Sequence, residues 1–392
     1  MPLISFSGIA FADEWEISGS FSAETRIFPD DPAFSDQTDE AVSPSLVIEP
    51  EFVYEWNKNQ DRITVTPFVR WDADDDNRSH VDLREASWLH ISDEWDLVVG
   101  VSKVYWGVTE SRHLVDIINQ TDAVEDIDGE DKLGQPMINL NLIRDWGTIG
   151  LFILPRFRKR TFPADNARLR GPIPIDVDNA TYESSRKENH VDGAIRWSHT
   201  LGDWDIGLGY FQGTSREPRF LLATNNGRPV FVPQYDLIDQ TSLDIQLTTD
   251  ATLWKLEAIS RGGQGRRFTA AVVGLEYTLF GVSETSSDLG FLIEYLYDDR
   301  DITMAPFVFT DDDIFFGTRL SLNNTQNTAF LAGAIIDRHS KETLFFLEAE
   351  HRLSDHWKFE MQGRFFINIP DESFNAGFRE DSFLNLSFSR YF

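Results

Sequence analysis

Three kinds of residue in this chain could do chemistry: acidic runs, one basic run and scattered histidines. The acidic runs are Asp72-Ala73-Asp74-Asp75-Asp76, Asp298-Asp299-Arg300-Asp301 and Asp311-Asp312-Asp313. Carboxylates at this density can hold Ca²⁺ or Mg²⁺. Asp126-Ile127-Asp128-Gly129 looks like part of a calcium loop, but Val124 stands at its first ligand position and Gln135 at its last, so the spacing fails. These carboxylates therefore read as solvated loop charge, and no metal site is assigned. His80, His90, His113, His190, His199, His339, His351 and His356 fall in no zinc spacing, and no nucleophile elbow or phosphate loop accompanies them. No catalytic set and no cofactor motif results, so an enzyme is not expected.

The basic run is Arg156-Phe157-Arg158-Lys159-Arg160, followed by Arg168 and Arg170. Such density in a chain of formal charge -30 suits the capture of anions or phosphate groups by charge-assisted hydrogen bonds. The net charge itself argues against nucleic-acid binding, which needs a basic surface. A further set of charges is dispersed: Arg70, Arg84, Arg196, Arg319 and Arg364, with Glu49, Glu51, Glu257, Glu294, Glu348 and Glu350. Each sits within a stretch of alternating apolar and polar residues, so the elements that carry them decide what they do.

Those elements read as strands. Trp357, Phe359, Met361 and Phe365 alternate with Lys358, Glu360, Gln362 and Arg364; Leu46, Ile48, Phe52, Tyr54 and Trp56 alternate with Glu49, Glu51 and Glu55. The pattern predicts strands at 14–27, 46–57, 60–72, 80–91, 94–106, 136–145, 148–156, 188–199, 203–214, 237–248, 251–262, 267–280, 287–298, 312–322, 327–337, 341–353, 356–367 and 381–392. Even-numbered connections are tight, as at Lys58-Asn59, Ser92-Asp93, Leu201-Gly202 and Ser354-Asp355. Odd-numbered ones are mostly long and polar: 28–45, 107–135, 157–187, 215–236, 299–311 and 368–380. A soluble sandwich has no reason to segregate its loops in this way, whereas a membrane barrel pairs periplasmic turns with extracellular loops.

The expectation is an all-β transmembrane antiparallel barrel of about eighteen strands with periplasmic termini, in a bacterial outer membrane. The chain has no run near the ~18 apolar residues of a spanning helix, but a barrel strand needs only alternate residues to be apolar. Trp15, Trp56, Trp95, Trp146, Trp204, Trp254 and Trp357 cluster near the tight turns, where an interfacial belt would place them. The last strand ends on Phe392, with Leu384, Leu386, Phe388 and Phe392 on one face, and looks like the terminal strand that the outer-membrane assembly machinery recognises. Ala10-Phe11-Ala12 ends a short apolar stretch like a cleavage site, so residues 1–12 read as a signal-peptide remnant and 13–392 as one barrel domain. Absence of cysteine fits an oxidising envelope.

Within a barrel the dispersed charges fall on the lumen face, where mixed charge can set a transverse field or build a salt-bridged network. The 107–135 connection is expected to enter the lumen as a constriction, with Arg112 and Asp116 in it and Leu114, Ile117 and Ile118 at helical spacing. Pore-lining or constriction candidates are thus Arg70, Arg84, Arg112, Asp116, Arg156, Arg158, Arg196, Glu257, Glu294, Arg319, Glu348, Glu350 and Arg364. The function expected is a porin-like channel for passive or facilitated passage of a small solute. The alternatives are a filled barrel serving as scaffold or partner of an exporter, and a barrel enzyme.

Arg84-Glu85-Ala86, Trp106-Gly107 and Asp116-Ile117-Ile118-Asn119 form a further pattern. Over residues 80–163 it resembles a family of uncharacterised outer-membrane barrels often encoded beside RND-type exporters. That resemblance implies an inner-membrane exporter as a partner. The other expected partners are outer-membrane lipid and lipopolysaccharide, the assembly machinery and the small solute.

Overall fold

A computed structural model describes residues 15–392. The expected signal remnant, 1–12, lies outside the described residues. In chain order the strands are β1 (Glu16–Ile27), β2 (Val42–Trp56), β3 (Asp61–Asp72), β4 (His80–Ile91), β5 (Trp95–Ser102), β6 (Gln135–Arg144), β7 (Gly147–Leu154), β8 (Thr181–Tyr182), β9 (Asp192–Leu201), β10 (Trp204–Thr214) and β11 (Arg219–Asn225). They continue as β12 (Arg228–Tyr235), β13 (Leu237–Thr248), β14 (Thr252–Gly262), β15 (Phe268–Leu279), β16 (Asp288–Asp298), β17 (Asp312–Ser321), β18 (Ala329–Asp337), β19 (Thr343–Ser354), β20 (Trp357–Ile367) and β21 (Phe383–Tyr391). Eighteen of them form one antiparallel sheet. It closes where β21 pairs with β1, from Ser20 opposite Tyr391 to Ile27 opposite Leu384. Closure pairs every strand on both sides and leaves no unsatisfied edge for lipid to meet.

The period-two pattern becomes two faces because successive side chains leave a pleated strand in opposite directions. In β16, Phe291, Ile293, Tyr295 and Tyr297 are exposed outside, while Leu292, Glu294, Leu296 and Asp298 are buried inside. In β21, Phe388 is exposed and Leu384 and Leu386 share its outward face. Trp15, Trp146, Trp204, Trp254 and Trp357 are exposed near the short-turn end. An apolar wall fringed with indoles on the outside, and charge on the inside, is the reverse of a water-soluble protein.

The structure departs from the sequence reading in several places. β5 stops at Ser102 and does not reach residue 106, because the chain turns into the barrel there. The 215–236 connection is not an open loop: β11 and β12 form a hairpin, and β12 pairs with β8 above the barrel. Its turn holds Asn226 and Gly227 at φ 50° and 81°, the left-handed geometry of a tight hairpin. The acidic runs are not simply solvated: Asp72, Asp75, Asp298 and Asp313 are buried. Strand alternation carries Asp72, Asp298 and Asp313 inward, and Asp72 and Asp298 meet Arg78 and Arg300 there.

Candidate functional site

The segment 103–134 leaves β5, crosses the lumen and returns to β6. One side chain holds its two ends together. Asn119, almost fully buried, accepts from the Val104 amide at 2.8 Å and donates to the Ser102 and Leu133 carbonyls at 3.0 and 2.9 Å. Where the loop rejoins the wall, Gly134 is required: a Cβ there would stand 2.7 Å from the Leu83 carbonyl oxygen and 2.6 Å from Val101.

On one side of the barrel the loop is tied by its own backbone. Glu257 of β14 takes the amides of Val108 and Thr109 on Oε1 at 2.7 and 3.1 Å, and that of Val115 on Oε2 at 3.2 Å. Glu294 of β16 takes the amides of Glu110 and Ser111, both at 2.8 Å. Arg319 of β17 reaches Glu110 at 2.7 Å, and Arg112 reaches Asp298 at 3.2 Å. Trp106 lies under the Arg196 guanidinium, whose carbon is 4.9 Å from the ring centre.

On the opposite side the ties are ion pairs. Arg84 of β4 meets Asp122 at 2.6 Å, and Arg70 of β3 meets Glu125 through Nε at 3.0 Å. Arg364 of β20 meets Asp126 and Asp128 at 3.3 and 2.8 Å, and Arg26 of β1 donates to the Glu125 carbonyl. Buried charge is tolerated only when it is paired or hydrogen-bonded, and here both kinds of compensation are present.

Between the two sides lies an apolar kernel. Val115 and Ile118 are 0% exposed and pack in one cluster with Trp106, Leu114, Phe152, Phe211, Phe268 and Phe315. The helical spacing of Leu114, Ile117 and Ile118 produces no helix; the segment is irregular, and all three side chains are buried. The barrel supplies partners that a helix would have supplied internally, as buried backbone must be satisfied somewhere. Arg216, for instance, donates to the Ile118 carbonyl at 3.0 Å.

Titrating groups of the loop follow these contacts. Burial alone would lower the His113 pKa, but the Glu130 and Glu257 carboxylates outweigh it and hold it up at about 10. Burial pushes Asp116 upward against its partner Lys132. Asp122 sits well below the carboxylate range: burial would raise it, but the His80 hydrogen bond and the Arg84 charge prevail. His80 Nδ1 is 2.9 Å from the Arg78 carbonyl, and its Nε2 faces Asp122 and Glu125 at 3.7 and 3.6 Å.

Of the residues singled out in the sequence, Arg70, Arg84, Arg112, Asp116, Arg196, Glu257, Glu294, Arg319 and Arg364 all contact the loop or belong to it. Glu348 pairs with Arg364 at 2.9 Å, and Glu350 pairs with Lys358 at 2.8 Å in the more exposed short-turn half. Arg156 and Arg158 stand at the rim beyond β7, paired with Glu188 and Asp82. Sequence reasoning missed Arg26, Arg78, Asp122 and Glu125 as parts of this network, and singled out Asn119 only within a motif. For Arg26 the strand alternation was a usable signal; for the loop acids none existed, since their partners lie on other strands. The three motifs of the resemblance converge here: Arg84 on Asp122, Trp106 on Arg196, and Asn119 as the clamp.

No protein-family model matches the chain, and no curated protein matches it. Solved structures do resemble it. Wzi of Escherichia coli, an outer membrane protein involved in group 1 capsule assembly and described as a carbohydrate-binding β-barrel, is similar over 94% of this chain and 83% of that one, with 9% identity and a TM-score of 0.53. A mutant porin of Rh. blastica aligns over 97% of this chain and 100% of that one, with 10% identity and a TM-score of 0.45. The Wzi likeness is one of fold. Together with the closed wall and its apolar, indole-fringed exterior, it defines an outer-membrane β-barrel located in the bacterial outer membrane.

Proposed function

We propose that this barrel is a channel for small polar solutes whose lumen is gated by the 103–134 segment, with the long loops facing outward and the termini in the periplasm. One observation carries the reading: the segment is tied to the wall by hydrogen bonds and ion pairs, which water can replace, above a short-turn half in which one group of charged side chains stays partly exposed. Glu348, Glu350, Lys358 and Glu360 all keep between 29% and 43% of their side-chain surface exposed there. A gate must have two states within a few kcal/mol of each other, and exchangeable polar ties supply that condition better than apolar packing. No catalytic role is proposed.

The kernel around Val115 and Ile118 favours a second reading, a permanently filled barrel acting as a scaffold or as an exporter's partner. Planar-bilayer recording separates the two. Under the channel reading, the native protein shows small or intermittent steps, and deletion of residues 112–130 raises conductance several-fold while the heat-modifiable barrel persists. Silence of both proteins in folded form would establish the filled scaffold and remove the channel.

A further inference from the structure

We propose that a cleft at the rim binds the phosphorylated headgroup of an outer-leaflet lipid, the lipid A portion of lipopolysaccharide. The cleft, about 630 Å³, lies between the long-loop ends of β4, β5 and β6 and the segment 156–162. It exists because β5 ends early. With Ser102 the last residue of that strand, Gly134 closes directly onto Leu83, and the chain leaving β7 passes over the notch. The choice of lipopolysaccharide over a glycerophospholipid rests on the orientation proposed above.

Two properties of the lining select the ligand. The first is an apolar floor on the lipid side. Leu83 is exposed outward, and Val101 and Pro136 stand opposite each other on that same outward face. Val81 and Trp71 continue this exposed exterior beside it, so the cleft opens where the apolar belt gives way to headgroups. The second is uncompensated positive charge. Arg156, Arg158, Lys159 and Arg160 line the cleft against only Asp82 and Glu188. Asp82 is taken by Arg158 at 2.6 Å, and Glu188 meets Arg156 only at 3.4 Å.

Lys159 and Arg160 have no carboxylate partner. Lys159 Nζ reaches the Val177 carbonyl at 3.2 Å, leaving an ammonium with donors to spare. Arg160 Nε is buried without a hydrogen-bond partner, and its guanidinium is 5.9 Å from the centre of the Phe162 ring. Glu217, which acts on Arg160 through its charge, is already engaged by Arg261 and Arg300 at 2.6 and 3.0 Å. A chain of charge -30 that leaves two cations unpaired in one lipid-edge cleft presents donors for phosphate oxygens with acyl chains packed below them. A free anionic solute would use the donors and leave the apolar floor without purpose.

The test uses the full chain in detergent and three probes: diphosphorylated lipid A, the same lipid without phosphates, and inorganic phosphate. Binding is read by native mass spectrometry, for the natural chain and for Arg156→Gln/Lys159→Gln. That variant spares the Arg158–Asp82 pair, and heat-modifiable migration verifies its fold. The expected result is retention of diphosphorylated lipid A by the natural chain, at least tenfold weaker in the variant, with the phosphate-free lipid poorly held by both. Equal retention by the two proteins, equal binding of the phosphate-free lipid, or displacement by inorganic phosphate as effectively as by lipid A would each overturn the proposal. A tag inserted between Asn226 and Gly227 reports orientation independently. Labelling on intact cells supports outward loops; labelling only after permeabilisation would remove lipopolysaccharide as the occupant while leaving binding in detergent unchanged.

Discussion

The two ends of the lumen are built from the same alternating strands and behave in opposite ways. Toward the long loops, inward charges are spent on the 103–134 segment. Glu257 and Glu294 hold its amides, and Arg84, Arg70 and Arg364 hold its carboxylates. Toward the short turns, inward charges meet one another. Glu350 and Glu360 share Lys358, each at 2.8 Å, and their surfaces stay wet. The difference shows that an inward charge in a barrel has no fixed role. In water it lines; against an irregular segment it becomes the missing half of that segment's hydrogen bonding. The energetic consequence follows from burial, because a desolvated partner left alone costs far more than an exposed one.

That contrast can be broken most sharply at Glu257. Glu257→Ala leaves the amides of Val108, Thr109 and Val115 without their acceptor, a loss of about 3 kcal/mol in seating the loop at 1–3 kcal/mol per unsatisfied buried group with partial relaxation. Amide hydrogen exchange across residues 107–118 should accelerate by roughly two orders of magnitude, as that energy implies. The matched change in the wet half, Glu350→Ala, should leave exchange there within a factor of about five, in line with ~1 kcal/mol or less for an exposed pair. Comparable effects at the two sites would show that the halves do not differ as described.

A smaller effect is expected from pH. His113 is held cationic by Glu130 and Glu257, with its pKa raised to about 10. A raised histidine pKa adds stability that is complete below the ordinary value near 6.5 and is lost as pH rises through the folded value. Protection of the loop should therefore fall between about pH 6.5 and pH 10. In His113→Gln that pH dependence should flatten. The same slope in both proteins would assign the effect to other groups.

The smallest effect concerns ion selectivity. Arginines and carboxylates are mixed along the lumen, and the acidic loops are screened over ~8 Å at physiological salt. Under the channel reading proposed above, the reversal potential in a salt gradient should show only weak preference, shifted slightly toward anions by Glu350→Gln. Strong cation selectivity that survives this change would mean that the outer acidic loops, and not the wet half, control permeation.

Much of the barrel was legible in the sequence. Alternation in β2, β16 and β20 marks both faces, and tight turns such as Ser354-Asp355 separate the strands. The hairpin of β11 and β12 was readable too: Asn226-Gly227 between apolar runs is a direct turn signal, obscured by the expectation of a long loop. The helical spacing at Leu114, Ile117 and Ile118 misled, because apolar residues inside a lumen are buried on every side and need no helical face. Segment 103–134 shows its importance in sequence through Trp106, Gly107 and Asn119, but not its contacts.

By itself, then, the sequence determined which residues face lipid and which face inward, since a pleat of period two leaves each side chain only two directions. It also determined that the ring could close, by supplying enough strands with long and short connections in alternation. Only the tertiary structure decided which charges meet. Arg364 finds Asp126 and Asp128, and Arg319 finds Glu110, across more than two hundred residues of chain. No local pattern encodes such a pairing. It is set when β21 registers against β1 and fixes the circumference, bringing opposite walls within reach of the one segment that crosses between them.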